Sequence, residues 1–77
     1  MQLNIKYFGL IAEVTKCHEE VIEFSDSTIA ELRELLYNTY PELKNKDFQV
    51  AQNREIVSAK TKISGEDIAL LPPFSGG

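Results

Sequence analysis

The sequence has a single cysteine and a single histidine among its 77 residues, and it contains no tryptophan. One cysteine, Cys17, cannot form an internal disulfide, and no CxxC or HxxxH spacing predicts a metal site. His18 adjoins Cys17, but adjacent residues of a strand point to opposite faces, so a nucleophile and base pair is not expected. We therefore expect neither a disulfide framework, nor a bound metal, nor a catalytic thiol.

The chain also has little positive charge. Eight Lys and Arg against twelve Asp and Glu give a net charge of −4, and the basic cluster Lys44-Asn45-Lys46 is interrupted, so nucleic acid is not an expected partner. No apolar run approaches the roughly 20 residues of a membrane span, and the start lacks the basic segment of a signal peptide. These features predict a cytoplasmic protein without membrane contact.

Several carboxylates alternate with apolar positions, and this alternation predicts that they lie on solvent faces of a strand and a helix; they are Glu19, Glu20, Glu31 and Glu34.

What is present is ordinary globular composition, with 43% hydrophobic and 26% charged residues, which predicts one domain. Leu3, Ile5 and Tyr7 alternate with polar neighbours and predict a strand over 2–8. Phe8 falls on the otherwise polar side of that strand. A second strand over 18–24 is predicted to pair with the first as a hairpin, across a long connection with room for a helical turn.

The clearest pattern is helical. Thr28 and Glu31 have the spacing of a capping box, and Pro41 ends the helix. Its apolar positions are Ile29, Leu32, Leu35, Leu36 and Tyr40.

Three more strands are predicted after this helix. Two short ones, 48–52 and 55–57, flank a turn at Asn53 and Arg54, and a fully buried one spans 68–71. The order β-β-α-β-β-β is typical of an α+β domain with one helix on one sheet. The domain is predicted to cover 1–71, with 72–77 as a flexible tail.

The tail, within the final letters LLPPFSGG, places two of the four glycines at its end. Pro72 and Pro73 lack backbone donors, so we expect the last strand to end at Leu71 and the chain to leave the sheet extended. Six residues reach roughly 20 Å. Gly76 and Gly77 leave the terminal carbonyl open to a nucleophile. An ionised carboxylate is a poor electrophile, so this terminus predicts an activating partner that makes a mixed anhydride.

Three stretches, YFGLIAE, STIAELRELL and SGEDIALLPPFSGG, resemble the small subunits of molybdopterin synthase, a family of β-grasp sulfur carriers, over essentially the whole chain. The resemblance implies a ubiquitin-like β-grasp, one mixed sheet packed on a single main helix, with an extended Gly-Gly tail. It implies that Gly77 is adenylated, converted to a thiocarboxylate, and used to donate sulfur to a pterin precursor. The chain would be the sulfur-donating subunit of a transferase complex and not an enzyme alone. It would bind no cofactor, since ATP is used by the activating enzyme.

The resemblance also implies partners and contact residues. The partners are the large molybdopterin synthase subunit and the adenylating activating enzyme. The chemistry resides at Gly77 with its neighbour Gly76, and the predicted partner contacts are Phe8, Ile56, Leu71, Pro72, Pro73, Phe74 and Ser75. Two departures, Ala12 where many relatives have arginine and the order Glu66-Asp67, leave the tail unchanged.

Alternative functions remain open at this stage. A ubiquitin-like modifier is activated in the same way but is joined to lysines of target proteins, and a carrier of the thiamine or tRNA pathway would share the chemistry. The Pro-Pro pair favours the pterin pathway, because modifiers and thiamine-pathway carriers usually lack it. A plain interaction domain with an idle tail would tolerate loss of both glycines.

Overall fold

Every predicted strand is present in the computed structural model, which describes residues 1–25 and 28–73. Within these ranges the strands are β1 (Gln2–Tyr7), β2 (Glu19–Glu23), β3 (Gln49–Gln52), β4 (Glu55–Val57) and β5 (Ile68–Leu71). The helices are α1 (Leu10–Thr15), α2 (Ile29–Thr39) and a 3₁₀ helix over Pro41–Asn45. The predicted order of elements is therefore confirmed, and the 3₁₀ helix is an addition to it.

The strands form one mixed sheet in the order β2-β1-β5-β3-β4. The central pair, β1 and β5, is parallel, with Ile5 opposite Ile68, and the other neighbours are antiparallel. Because β1 and β5 run in the same direction, their carboxyl ends lie side by side, and the Phe8 N–H donates to the Leu70 carbonyl over 3.1 Å. The chain after β5 therefore starts beside the turn that follows β1.

The start of α2 has the capping box that the sequence predicts. The Thr28 N–H donates to Glu31 Oε1 over 2.9 Å, and the Thr28 hydroxyl accepts from the Glu31 N–H over 3.4 Å. Two further N–H groups of the first turn, those of Ile29 and Ala30, donate to carbonyls of the segment before β5, at Thr61 and Ala59. These bonds satisfy donors that a helix start leaves unpaired, and they attach α2 to that segment.

One face of the sheet, called the inner face here, packs against the helices. Its β1 and β5 side chains share a buried cluster with α1, α2 and the 3₁₀ helix; the fully buried members of the cluster include Leu3, Ile5, Tyr7, Ile11, Ile29, Leu32, Leu43, Ile68 and Leu70. One of the apolar positions in the helical pattern is not buried. Leu35 is 37% exposed, because it lies at the margin of the apolar stripe that α2 turns toward the sheet.

A polar cluster on the inner face corrects another prediction. Glu20 is half-buried and not on a solvent face, because its carboxylate accepts hydrogen bonds from the Tyr7 hydroxyl over 2.5 Å and the Tyr40 hydroxyl over 2.7 Å. Burial, and then the bond to Glu20, raises the pKa of both tyrosines far above the usual value. The cluster ties β1, β2 and the end of α2 together.

Candidate functional site

The second face of the sheet, called the outer face here, carries the alternate side chains that point away from α2. Strand register aligns Lys6 with Ala69, Ala69 with Ala51, and Ala51 with Ile56, in one row across four strands. Phe8 lies at the end of β1, two residues beyond Lys6 and therefore on the same face. The pairing thus brings residues that are far apart in sequence onto a single surface.

Three of the residues predicted as partner contacts, Phe8, Ile56 and Leu71, lie on the outer face. Phe8 is 45% exposed and Ile56 is 55% exposed, so neither is a core residue. Leu71 is half-buried at the end of β5, where it pairs with Gln49 of β3. The prediction that residues 68–71 are fully buried is wrong, since Ala69 and Leu71 both retain access to solvent. The reason is that β5 alternates between the two faces and only the inner face meets the helices.

A groove of about 690 Å³ indents the outer face beside the β3–β4 turn. Its lining includes Phe8 and the four charged residues Lys6, Arg54, Glu66 and Asp67. Lys6 Nζ lies 4.0 Å from Asp67 Oδ2, and both side chains are solvent-accessible. The outer face therefore combines an apolar surface with a charged margin of both signs. Sequence reasoning missed this margin, because its members meet only through the pairing of β1, β3 and β5.

At the other end of the outer face the chain leaves the sheet. Pro72 is half-buried and Pro73 is exposed. The ring of Pro72 lies against Gly9, where an added Cβ would be 2.7 Å from Pro72 Cγ. The remaining predicted site residues, Phe74, Ser75, Gly76 and Gly77, lie outside the described residues. The last strand, β5, ends at Leu71, as the sequence predicts.

In the part of the chain that the structure describes, no group of three His, Cys, Asp or Glu side chains is arranged to hold a metal ion. Across residues 1–25 and 28–73, no helix has the length and apolar character needed to cross a membrane. The candidate site is thus an apolar sheet face that leads to the start of a Gly-Gly tail.

The sequence matches the model of the ThiS family over residues 5–77. The chain belongs to the ThiS family. This ThiS-family chain is 31% identical, over 83 aligned residues and 100% of both chains, to a molybdopterin synthase sulfur carrier subunit from Chlamydomonas reinhardtii.

Two solved structures share the fold of this ThiS-family chain. A complex of subunits 1 and 2 of molybdopterin-converting factor from Helicobacter pylori contains a chain that is 27% identical, with a TM-score of 0.71 and 100% of both chains covered. The small archaeal modifier protein 1 of Haloferax volcanii is 21% identical, with a TM-score of 0.78 and 95% and 98% of the two chains covered. The fold is the ubiquitin-like β-grasp that the resemblance implies.

Proposed function

We propose that this chain is a sulfur carrier of molybdenum cofactor biosynthesis and that Gly77 is its acceptor residue. The observation that carries the proposal is the Pro-Pro-Phe-Ser-Gly-Gly tail directly after β5, in a ThiS-family chain. Full-length similarity to a molybdopterin synthase sulfur carrier subunit supports the pterin pathway over the alternatives. The chain acts as the sulfur-donating subunit of a transferase complex, and its folded body supplies recognition, not catalysis.

The chemistry takes place at the carboxylate of Gly77 and proceeds in two steps on the activating enzyme. A carboxylate oxygen attacks the α-phosphorus of ATP, pyrophosphate leaves, and an acyl-adenylate forms. A sulfide-equivalent nucleophile then attacks the acyl carbon, the C–S bond forms, and the C–O bond to AMP breaks. The product is a thiocarboxylate. Requirement for ATP agrees with the predicted cytoplasmic location.

The loaded carrier then donates sulfur within a complex with the large synthase subunit. The outer face suits this complex, because Phe8 and Ile56 expose apolar area that the fold does not bury. The chain in the Helicobacter pylori complex, which pairs subunits 1 and 2 of molybdopterin-converting factor, supports a partner of this kind. With the body docked, the tail carries the thiocarboxylate to the pterin precursor.

Intact mass of the protein purified from its own cells tests the assignment. Replacement of one terminal oxygen by sulfur is the expected result. An isopeptide link to lysines of other proteins would support a modifier instead. If the protein carries neither modification and the cells grow normally after removal of Gly76 and Gly77, the chain is an interaction domain whose tail has no function.

Reconstitution gives a sharper test. The wild type, a variant with one residue added after Gly77, and a variant ending at Ser75 are incubated with the activating enzyme, ATP and a sulfur source. Only the wild type should form thiocarboxylate, because extension or truncation moves the carboxylate away from the reacting phosphorus. Loading of either variant at the wild-type rate would contradict the mechanism.

The pathway is assigned by the second half of the reaction. Thiocarboxylated carrier mixed with the large synthase subunit and the pterin precursor should yield sulfurated pterin. A carrier of the thiamine or tRNA pathway would be loaded but would leave the pterin unchanged. That outcome would overturn the pterin assignment and leave the carrier chemistry standing.

A further inference from the structure

Gly9 lies in the turn between β1 and α1 with a backbone conformation that disfavours side chains. Its φ is 57° and its ψ is −134°. Gly65, the other glycine within the described residues, also has positive φ, at 96°. Both positions are therefore strained for any L-residue. Backbone conformation alone does not distinguish the two glycines.

The space around the two glycines differs. A Cβ built on Gly9 would lie 2.7 Å from Pro72 Cγ, 3.7 Å from its Cδ and 3.9 Å from its Cβ. A Cβ built on Gly65 would meet only Met1 Sδ, at 4.0 Å. The Pro72 ring thus occupies the volume that a side chain at Gly9 would fill, whereas the space at Gly65 is open.

This contact lies where the chain leaves the sheet. The Phe8 N–H donates to the Leu70 carbonyl, so Gly9 lies one residue and Pro72 two residues beyond the joined pair. Proline fixes its own φ, and packing of its ring on Gly9 fixes the ring relative to the body. Five residues follow Pro72 and span at most about 17 Å when extended. The direction that the chain takes at Pro72 therefore sets where these five residues start relative to the folded body.

We propose that Gly9 and Pro72 form a seat that sets the direction in which the tail leaves the sheet and so presents Gly77 to the activating enzyme. Gly9 is then a positioning residue, because its lack of a side chain makes room for the Pro72 ring as well as permitting the turn. This inference rests on the proposed function for its role in loading. The seat itself is a property of the folded chain.

The seat is tested first without a partner. Nuclear Overhauser effects between the α protons of Gly9 and the ring protons of Pro72 are expected in the free wild-type protein. Their absence would overturn the seat whatever the function of the chain.

Its role is tested by substitutions with a matched control. Gly9→Ala and Gly65→Ala both place a methyl group at positive φ, so both should lower Tm by a few degrees. Only Gly9→Ala should lower kcat/KM for adenylation of the carrier, by about tenfold to a hundredfold, because only it displaces Pro72. The loss should appear in KM, with kcat unchanged, since the bound carboxylate is chemically intact. Equal loading of the two variants would overturn the role.

A double substitution separates the contact from backbone strain. Pro72→Ala removes the ring and should itself raise KM severalfold, and it keeps the proposal testable if Gly9→Ala does not fold. Gly9→Ala combined with Pro72→Ala should load no worse than Pro72→Ala alone, because the clash is already gone. If the loss in the double variant equals the product of the two single losses, the effect of Gly9→Ala comes from backbone strain in the turn, and the seat is overturned.

The two proposals fail in different ways. A wild-type chain that the activating enzyme does not load overturns the proposed function and the role of the seat with it. A wild-type chain that is loaded, with Pro72→Ala and Gly9→Ala loaded equally well, overturns the seat alone.

Discussion

The two faces of the sheet are made from the same strands, yet they have opposite relations to solvent. Ile5 of β1 is fully buried against the helices, while Phe8, which directly follows β1 and points to the other face, is 45% exposed. The inner face explains why the chain folds, since its side chains share one cluster with α1, α2 and the 3₁₀ helix. The apolar side chains of the outer face have no such explanation within the described residues, and the proposed docking partner would supply one.

The largest expected effect is on the free energy of unfolding, which substitutions on the buried side should lower more than substitutions on the outer face. Leu32→Ala removes a fully buried side chain of α2 and should lower the free energy of unfolding by about 2–5 kcal/mol. Ile56→Ala removes a side chain that is 55% exposed and should lower it by about 0.5 kcal/mol or less. Urea unfolding of both variants measures the difference. Comparable losses would contradict the division into a structural inner face and an interaction face.

The second prediction concerns binding, where the outer face should matter more than the helix side of the molecule. Phe8→Ala or Ile56→Ala should weaken binding to the large synthase subunit by about 1–3 kcal/mol where either is a hot spot. Leu35→Ala is the control, because Leu35 is an exposed leucine on α2, on the opposite side of the molecule. Titration calorimetry on folded variants decides the matter. Unchanged affinity in both outer-face variants would remove these residues from the interface.

The sequence could predict features that are set by residues close together in the chain, and it could not predict features that are set by residues far apart. The capping box of Thr28 and Glu31 and the turn at Asn53 and Arg54 are local, and both are confirmed, the two turn residues having φ of 52° and 67°. The exposure of Phe8 followed from its parity within β1. These features need no knowledge of the sheet order.

Features that depend on distant partners were missed. Glu20 is held by hydroxyls 13 and 20 residues away. In β2, the adjacent apolar residues Val21 and Ile22 point to opposite faces, so the sequence does not show which residues of that strand face the core. The contact between Gly9 and Pro72 arises only because β1 and β5 are parallel neighbours. The Gly-Gly tail could be interpreted from sequence because the chemistry proposed for it depends only on its own residues.

A third prediction concerns the polar cluster of the inner face, where the effect is smaller. Tyr40→Phe removes one hydrogen bond to Glu20 and should cost about 1 kcal/mol. The pKa of Tyr7 and of Tyr40 is raised in the folded protein, first by burial and then by Glu20. A raised folded pKa gives stability that is complete below the unfolded value and is lost as pH rises above it. The free energy of unfolding should therefore fall above a pH of about 10, the ordinary tyrosine pKa.

The steepness of this alkaline loss of stability depends on how many tyrosines with a raised pKa lose a proton on unfolding. Tyr40→Phe should make the fall above that pH less steep, because one of the two groups no longer titrates. Tyr37→Phe is the matched variant, since Tyr37 packs edge-on against Phe48 and lies outside the Glu20 cluster. An equal change of slope in both variants would contradict the assignment of the alkaline loss to the cluster.

The smallest expected effect separates the thiol of the body from the carboxylate of the tail. Cys17 is half-buried against the core cluster and contacts Tyr40. The proposed carrier chemistry uses the carboxylate of Gly77 as the acceptor and needs no thiol of the folded body. Cys17→Ser should therefore form thiocarboxylate at Gly77 at the wild-type rate, with thermal unfolding checked in parallel. Loss of loading in a folded Cys17→Ser variant would assign sulfur handling to the body and contradict a carrier whose chemistry is confined to its tail.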